Sequence, residues 1–282
     1  MDLTEIKKIL KGEKLSPNKK LGQNFLIDKN VRNKILSSLP LEKDDTVVEI
    51  GPGFGVMTAE LAKKCNKLIA VEKDRGICRV MEPVFENIEN IKLVNEDILK
   101  FDLCDHKIRN KKLFVYGNIP YNISTPIVEK IIENRNSVKA LYIVVQDEVA
   151  DRIVASPGSK IYGSLSCFVQ YHAHVKKLFK IKKSSFYPSP KVGSALLALD
   201  ILPSPSVEVK DEDLMFKIIR QAFSQRRKKA VNPLGSLSIT GLGKGEWEKI
   251  FIECGLPVSA RAETLSLHDY ARLADAAISS HH

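Results

Sequence analysis

Apolar residues follow two rhythms along this chain. From residue 46 to about 146, short unbroken apolar runs alternate with stretches in which apolar positions recur every three or four residues. The runs TVVEI (46–50), KLIAVE (67–72), IKLVNEDIL (91–99), KLFVYGNI (112–119) and ALYIVVQ (140–146) predict strands, the third with its exit loop. Between them VMTAELAKKC (56–65), GICRVMEPVF (76–85) and TPIVEKIIEN (125–134) predict helices. Apolar strands that alternate with helices mean βαβ units and a parallel sheet covered on both faces. Ligands of such sheets bind beyond the carboxyl ends of the strands.

After Gln146 the rhythm changes. KKLFKIKKSSFYPSPKVGSALLALDIL (176–202) alternates around a rigid Pro188/Pro190 loop and predicts an antiparallel addition to the sheet edge. PSPSVEVKDED (203–213) reads as a linker. Helical patterns follow it over 214–231, 244–255 and 267–278. The expected layout is α/β: a mostly parallel sheet with an antiparallel edge in residues 1–203, then a small all-helical domain in 204–282. His172 and His174 are expected on one face of a strand with no third ligand in view, so no metal site is expected.

Composition narrows the function classes. The chain has 282 residues and 44% hydrophobic content, enough for one large domain and a small one. No apolar run reaches transmembrane length, and the N-terminus lacks the apolar region of a secretory signal. Five cysteines are scattered without a CxxC pair, which argues against a disulfide framework and points to a reducing cytoplasm. Lys and Arg number 44 against 34 Asp and Glu, a formal net charge of +10. That balance favours a polyanionic partner, nucleic acid before an anionic membrane.

VVEIGPGFGVMT (47–58) places Gly51, Gly53 and Gly55 between the first strand and the next helix. Glycines there let the backbone approach a ligand at the helix N-terminus. Glu72 ends the second strand, where an acid binds ribose hydroxyls. Two ligand classes share this layout. The dinucleotide fingerprint needs G-x-G-x-x-G, but position 56 is Val. Glu49 before the loop is unfavourable beside a pyrophosphate and suits a cationic sulfonium ligand with an amino group. Asp97, after the third strand, would meet an adenine's amino group. The whole pattern resembles the class I S-adenosylmethionine methyltransferases and implies a Rossmann-like fold.

The fourth strand stops in GNIPY (117–121), and a transfer to an adenine amine explains why. The amine's lone pair is delocalised into the ring, and its proton becomes acidic only as the methyl group arrives. Two hydrogen-bond acceptors and accurate alignment with the donor are what help. The Asn118 side-chain oxygen and the Ile119 carbonyl are the expected acceptors. Pro120 fixes the backbone, and Tyr121 offers a face for stacking, worth roughly 1–3 kcal/mol per base. Phe186, before the Tyr-Pro-Ser-Pro loop, is the expected second face. The basic run Arg226–Lys229 is expected to meet phosphates.

LGQNFLID (21–28), EIGPGFG, VEKD (71–74), EDIL (96–99), NIPYNIST and FYPSPKVGSAL (186–196) occur in the order seen in the KsgA family. These are small-subunit ribosomal RNA adenine dimethyltransferases, and the resemblance covers nearly the whole chain. It implies S-adenosylmethionine contacts at Asn24, Leu26, Gly51, Gly53, Glu72, Asp97 and Asn118. It implies a substrate of two adjacent adenosines near the 3′ end of small-subunit rRNA, each methylated twice. The chain is expected to act on assembling subunits, as a monomer and away from membranes. Ile119 replaces the family's usual leucine, Gly193 a common aspartate and Lys229 a usual threonine, so RNA contacts of the last region are less defined. A large-subunit methylase of the macrolide-resistance type and a non-catalytic nucleic-acid-binding derivative are the competing readings. Intact Asn118, Tyr121, Glu72 and Asp97 oppose the second.

Overall fold

The computed structural model describes residues 3–18, 21–106, 111–120 and 123–280. By its contacts the chain divides into two compact units: Met1–Ala150 with His174–Ile201, and Asp151–Ala173 with Leu202–His282. One change of unit falls between Ile201 and Leu202. Residues 151–173 group with the helical unit rather than with the sheet.

The first unit contains α1 (Leu3–Gly12), β1 (Phe25–Leu26), α2 (Lys29–Ser38), β2 (Thr46–Ile50), α3 (Thr58–Ala62), β3 (Lys67–Glu72) and α4 (Arg75–Phe85). It continues with β4 (Ile91–Asn95), β5 (Leu113–Asn118), α5 (Ser124–Glu133) and β6 (Val138–Gln146). Helix α6 (Asp147–Ile153) spans the point where the chain passes to the other unit. The first unit ends with β7 (Ala173–Ile181), β8 (Phe186–Tyr187) and β9 (Ser194–Ile201). One sheet runs in the order β4-β3-β2-β5-β6-β9-β7. Its pairs from β4 to β6 are parallel, and β9 joins β6 antiparallel. The mostly parallel sheet with an antiparallel addition is therefore the fold the apolar runs predict.

Burial explains why those runs are unbroken. Every residue of β2 is buried, as are all of β5 except Asn118, because both faces of the central strands are covered. Edge strand β4 is only partly buried. The parallel order brings the ends of β2, β3, β4 and β5 to one side, with Ile50 beside Val71 and Gly117, and Glu72 beside Asn95. Gly117 fits there because a side chain would meet Ile50, whose Cβ and carbonyl oxygen lie 3.0 and 3.2 Å from an added Cβ.

Helices α1 and α2 escape the apolar pattern because each fully buries only two residues, Ile6 with Leu10 and Ile35 with Leu36. Local chemistry starts α2 and α4 instead. Asp28 accepts the N–H groups of Asn30 and Val31, and Asp74 those of Gly76 and Ile77, which satisfies helix-end donors otherwise left open.

The second unit holds α7 (Ser164–His172), α8 (Glu212–Phe223), α9 (Val231–Leu234), α10 (Lys244–Glu253) and α11 (Leu267–Ser279) around a core containing Trp247, Cys167, Phe251 and Tyr270. Two expectations are corrected here. The helix expected over 214–231 stops at Phe223. Beyond it Arg226 turns back to the carbonyls of Lys160 and Tyr162, each at 2.9 Å, and the backbone of Lys229 pairs antiparallel with that of Arg261. His172 ends a helix rather than sharing a strand face with His174. Its ring packs on Phe168, Tyr171 and Phe216, with Glu212 3.6 Å away. Among the described residues no helix is long and apolar enough to cross a membrane.

Candidate active site

A cavity opens beyond the carboxyl ends of β2, β3, β4 and β5. Its wall takes in residues 21–26, 49–54, Glu72, Lys73, residues 96–98, Tyr116, residues 118–120 and Ile123. The structure thus brings together Asn24, Leu26, Gly51, Gly53, Glu72, Asp97, Asn118, Ile119 and Pro120, drawn from five separate stretches of sequence. Tyr121 lies outside the described residues.

The glycine loop sets one end. Gly51 has φ +67° and hydrogen-bonds through its N–H to the Val71 carbonyl at 2.9 Å. Gly55 has φ +74°, and a side chain there would strike Phe85 at 2.7 Å. Both positions need the left-handed conformation that glycine adopts without strain. The loop also fixes Glu72. The Gly53 N–H donates to its Oε2 at 3.2 Å and the Asp74 N–H to its Oε1 at 2.8 Å. Burial raises the pKa of this carboxyl, and the two N–H groups oppose that rise. Each oxygen keeps a second lone pair for a ligand hydroxyl.

Asp97 is held differently. Its Oδ2 accepts from Lys73 Nζ at 2.7 Å and its Oδ1 from the Leu99 N–H at 3.0 Å. Burial acts to raise its pKa, but the Lys73 ammonium and the Leu99 N–H outweigh it and hold the carboxyl below the usual range. Glu49, only 2% exposed, is pushed up to about 8 by burial, with the Glu72 charge adding to the rise.

Among its described residues the other end has no such charge. Asn118 Nδ2 donates to the Asn24 carbonyl at 3.0 Å, and among the described residues its Oδ1 has no partner. The amide is therefore fixed with its oxygen available as an acceptor. The Ile119 side chain is buried, and no described donor meets its carbonyl. The N-terminal segment is tied to both ends. Gln23 Nε2 donates to Asp74 at 2.8 Å, while Asn24 Nδ2 donates to the Gly22 carbonyl at 3.0 Å. The Gly-Gln-Asn stretch thereby joins the cofactor strands to the Asn118 loop.

Phe186 is placed elsewhere. It is 3% exposed in an apolar cluster with Leu26, Tyr116 and Leu196 and does not line the cavity. Its register partner Leu26 does. The stretch FYPSP therefore supports the wall from one strand behind. Lys73, within VEKD, and Tyr116, within the fourth apolar run, also line the cavity, although neither is assigned a role from sequence. Tyr116 lies two residues before Asn118 on one strand, and that spacing places both on the same sheet face.

These groups fit S-adenosylmethionine: acids for ribose hydroxyls, an adenine amine and an ammonium group, and a loop where the backbone comes close. Glu49 Oε2 and the Tyr116 hydroxyl are buried without a partner among the described residues, polar atoms that a bound ligand would satisfy. The sheet order with its glycine loop and strand-end acids defines a class I methyltransferase. Comparison with known proteins narrows the class. The family model described as ribosomal RNA adenine dimethylase matches residues 14–277, and the chain belongs to that family.

Proteins named ribosomal RNA small subunit methyltransferase A are similar over nearly their whole length. The one from Alkaliphilus oremlandii is 37% identical over 95% of this chain and 94% of that one. The one from Shouchella clausii is 40% identical over 96% and 93%. A dimethyladenosine transferase from Plasmodium falciparum superposes with TM-score 0.71 at 23% identity, covering 88% of this chain and 95% of that one. The 23S rRNA methyltransferase ErmE gives 0.69 at 23% identity, covering 90% and 99%. The protein is an S-adenosylmethionine-dependent rRNA adenine dimethyltransferase.

Proposed function

We propose that this enzyme dimethylates the exocyclic amines of two adjacent adenosines near the 3′ end of small-subunit rRNA, on assembling subunits in the cytoplasm and as a monomer. The observation that carries the transfer site is the Asn118 amide, anchored through Nδ2 to the Asn24 carbonyl with Oδ1 left as an acceptor beside a cavity rich in carboxylates. The small-subunit substrate is supported by the relatives of 37–40% identity that bear that name. ErmE, whose name gives 23S rRNA, shares only the fold at 23% identity.

Glu72 would hold the ribose hydroxyls of the donor, Asp97 its adenine amine and Glu49 its ammonium group, with Asn24, Leu26, Gly51 and Gly53 shaping the contact. The donor supplies an electrophilic methyl group on a sulfonium. The chain's own residues prepare the nucleophile. Asn118 Oδ1 and the Ile119 carbonyl accept the amine's hydrogens and draw its lone pair out of conjugation. Pro120 holds that carbonyl in place, and Tyr121 stacks on the flipped base. The role of Phe186 as second face rests on its place before the Tyr-Pro-Ser-Pro loop, and its buried ring beside Leu26 does not line the cavity. Once the amine carries one methyl group it has one hydrogen left, so the two acceptors cannot both be used in the second round.

The test is to incubate undermethylated small subunits and, separately, large subunits with enzyme and donor and to map the products by mass spectrometry. Dimethyladenosine at two neighbouring positions of the small-subunit RNA is expected. Modification of large-subunit RNA alone would favour the other substrate, and no modification would point to a non-catalytic derivative.

A further inference from the structure

Tyr116 is an unusual choice of side chain for its position. It is 1% exposed, lies in one apolar cluster with Leu26 and Phe114, and its hydroxyl has no hydrogen-bond partner among the described residues. A buried hydroxyl left unpaired is destabilising, whereas phenylalanine fills the same space without that cost. Yet Tyr116 lines the cavity, so the hydroxyl can be satisfied by whatever the cavity holds.

The neighbouring strand supplies a second group of the same kind. In the parallel pairing of β2 with β5, Glu49 stands opposite Tyr116, so the two side chains leave the same face of the sheet. Glu49 also lines the cavity, and its Oε2 is buried without a partner. Two neighbouring residues on one sheet face therefore each carry an orphan oxygen, one carboxylate and one phenolic. Lys73, the one cation among the described residues that line the cavity, is engaged with Asp97.

Resting on the reading that this cavity holds S-adenosylmethionine, we propose that Tyr116 is a donor-binding residue and that its hydroxyl and Glu49 together form the subsite for the donor's α-ammonium group. An ammonium carries three N–H donors and no acceptor, so out of water it needs more than one oxygen. Glu49 supplies the charge. The phenolic oxygen supplies a further acceptor, and its O–H can turn towards the carboxylate. Burial keeps that hydroxyl neutral by raising it well above the ordinary tyrosine range, so Tyr116 contributes an oriented dipole rather than a second negative charge.

Tyr116→Phe removes only the oxygen and leaves the ring in its packing. Calorimetry with three probes separates the possibilities: S-adenosylmethionine, S-adenosylhomocysteine, and 5′-methylthioadenosine, which keeps the nucleoside but lacks the amino-acid part. The expected result is about tenfold weaker binding of the first two and unchanged binding of the third. The donor-free variant should also melt higher by about 2–4 °C, because an unsatisfied group is gone. Glu49→Gln, tested alongside, should weaken the same two probes and spare the third. Unchanged affinity of Tyr116→Phe for all three probes would overturn the subsite, as would equal weakening of all three, which means distortion of the cavity. Failure of the wild-type protein to bind either of the first two probes would overturn the donor assignment, and the subsite with it.

Discussion

One end of the cavity is built from carboxylates and the other from neutral groups. Glu49, Glu72 and Asp97 stand at the ends of β2, β3 and β4, each tuned by burial, backbone N–H groups or an ammonium partner. The described residues at the end of β5 offer an amide, a backbone carbonyl and a proline. Under the proposed function, the difference follows from what each end must do. A cationic donor rich in hydroxyl and amine hydrogens is recognised by acceptors and charge. An amine that turns acidic only late in the reaction needs orientation, and a strong base there would add little. The donor end should therefore respond to pH and to loss of charge, and the transfer end to loss of geometry.

The largest effect should come from breaking the neutral end. Asn118→Ala should lower the rate of both methyl transfers by about 10²–10³-fold, as loss of one well-placed transition-state contact does elsewhere. Mass spectrometry of the product RNA would read it, and a near-normal yield and rate of dimethyladenosine would reduce the stretch to an ordinary loop. Next comes the charged end. Glu72→Ala should weaken donor binding by about 1.5–3 kcal/mol, the range for hydrogen bonds to a charged acceptor, with calorimetry as the check. Unchanged affinity would mean that the ribose is held elsewhere.

A smaller, graded effect sharpens the contrast. The Glu49 carboxyl, raised from 4.5 to about 8, keeps a proton in the folded protein that the unfolded chain has already lost in that window. Donor-free stability should therefore fall as pH rises between those values. Donor binding, which needs the carboxylate, should strengthen with rising pH and level off above about 8. Glu49→Gln should flatten both curves.

The smallest effect concerns where the missing charge has gone. If the transfer end reads a base without charge, RNA affinity must come from cations elsewhere. Arg227→Ala should reduce the salt dependence of RNA binding by about one counterion. Arg226→Ala should mainly lower the melting temperature, since its guanidinium already holds the Lys160 and Tyr162 carbonyls. A larger loss of salt slope from Arg226 than from Arg227 would reverse that division.

Much of this arrangement is legible from the chain because parallel strands are buried on both faces and functional groups collect at their ends. TVVEI and KLIAVE match β2 and β3 residue for residue. What stays hidden depends on long-range partners. The anchoring of Asn118 joins residues 94 apart in the chain. The fate of Arg226 depends on a loop far upstream, with carbonyls at 66 and 64 positions' separation. Phe186 reads as a stacking face beside prolines, but the pairing of β8 with β1 places it in the core. Tyr116 reads as one more apolar member of a buried run, and only strand register shows that it stands opposite Glu49.

The contrast between the two ends is tested most directly by the pH dependence of a single turnover. With enzyme in excess over RNA, the rate of methyl transfer is followed from about pH 6 to 9, a window that brackets the Glu49 carboxyl, once with saturating donor and once with scarce donor. At saturation the rate should be flat, because no titrating side chain acts on the amine. With scarce donor it should climb to a plateau above about pH 8, following Glu49. A limb of unit slope that persists at saturating donor would reveal a general base at the transfer end and contradict the account.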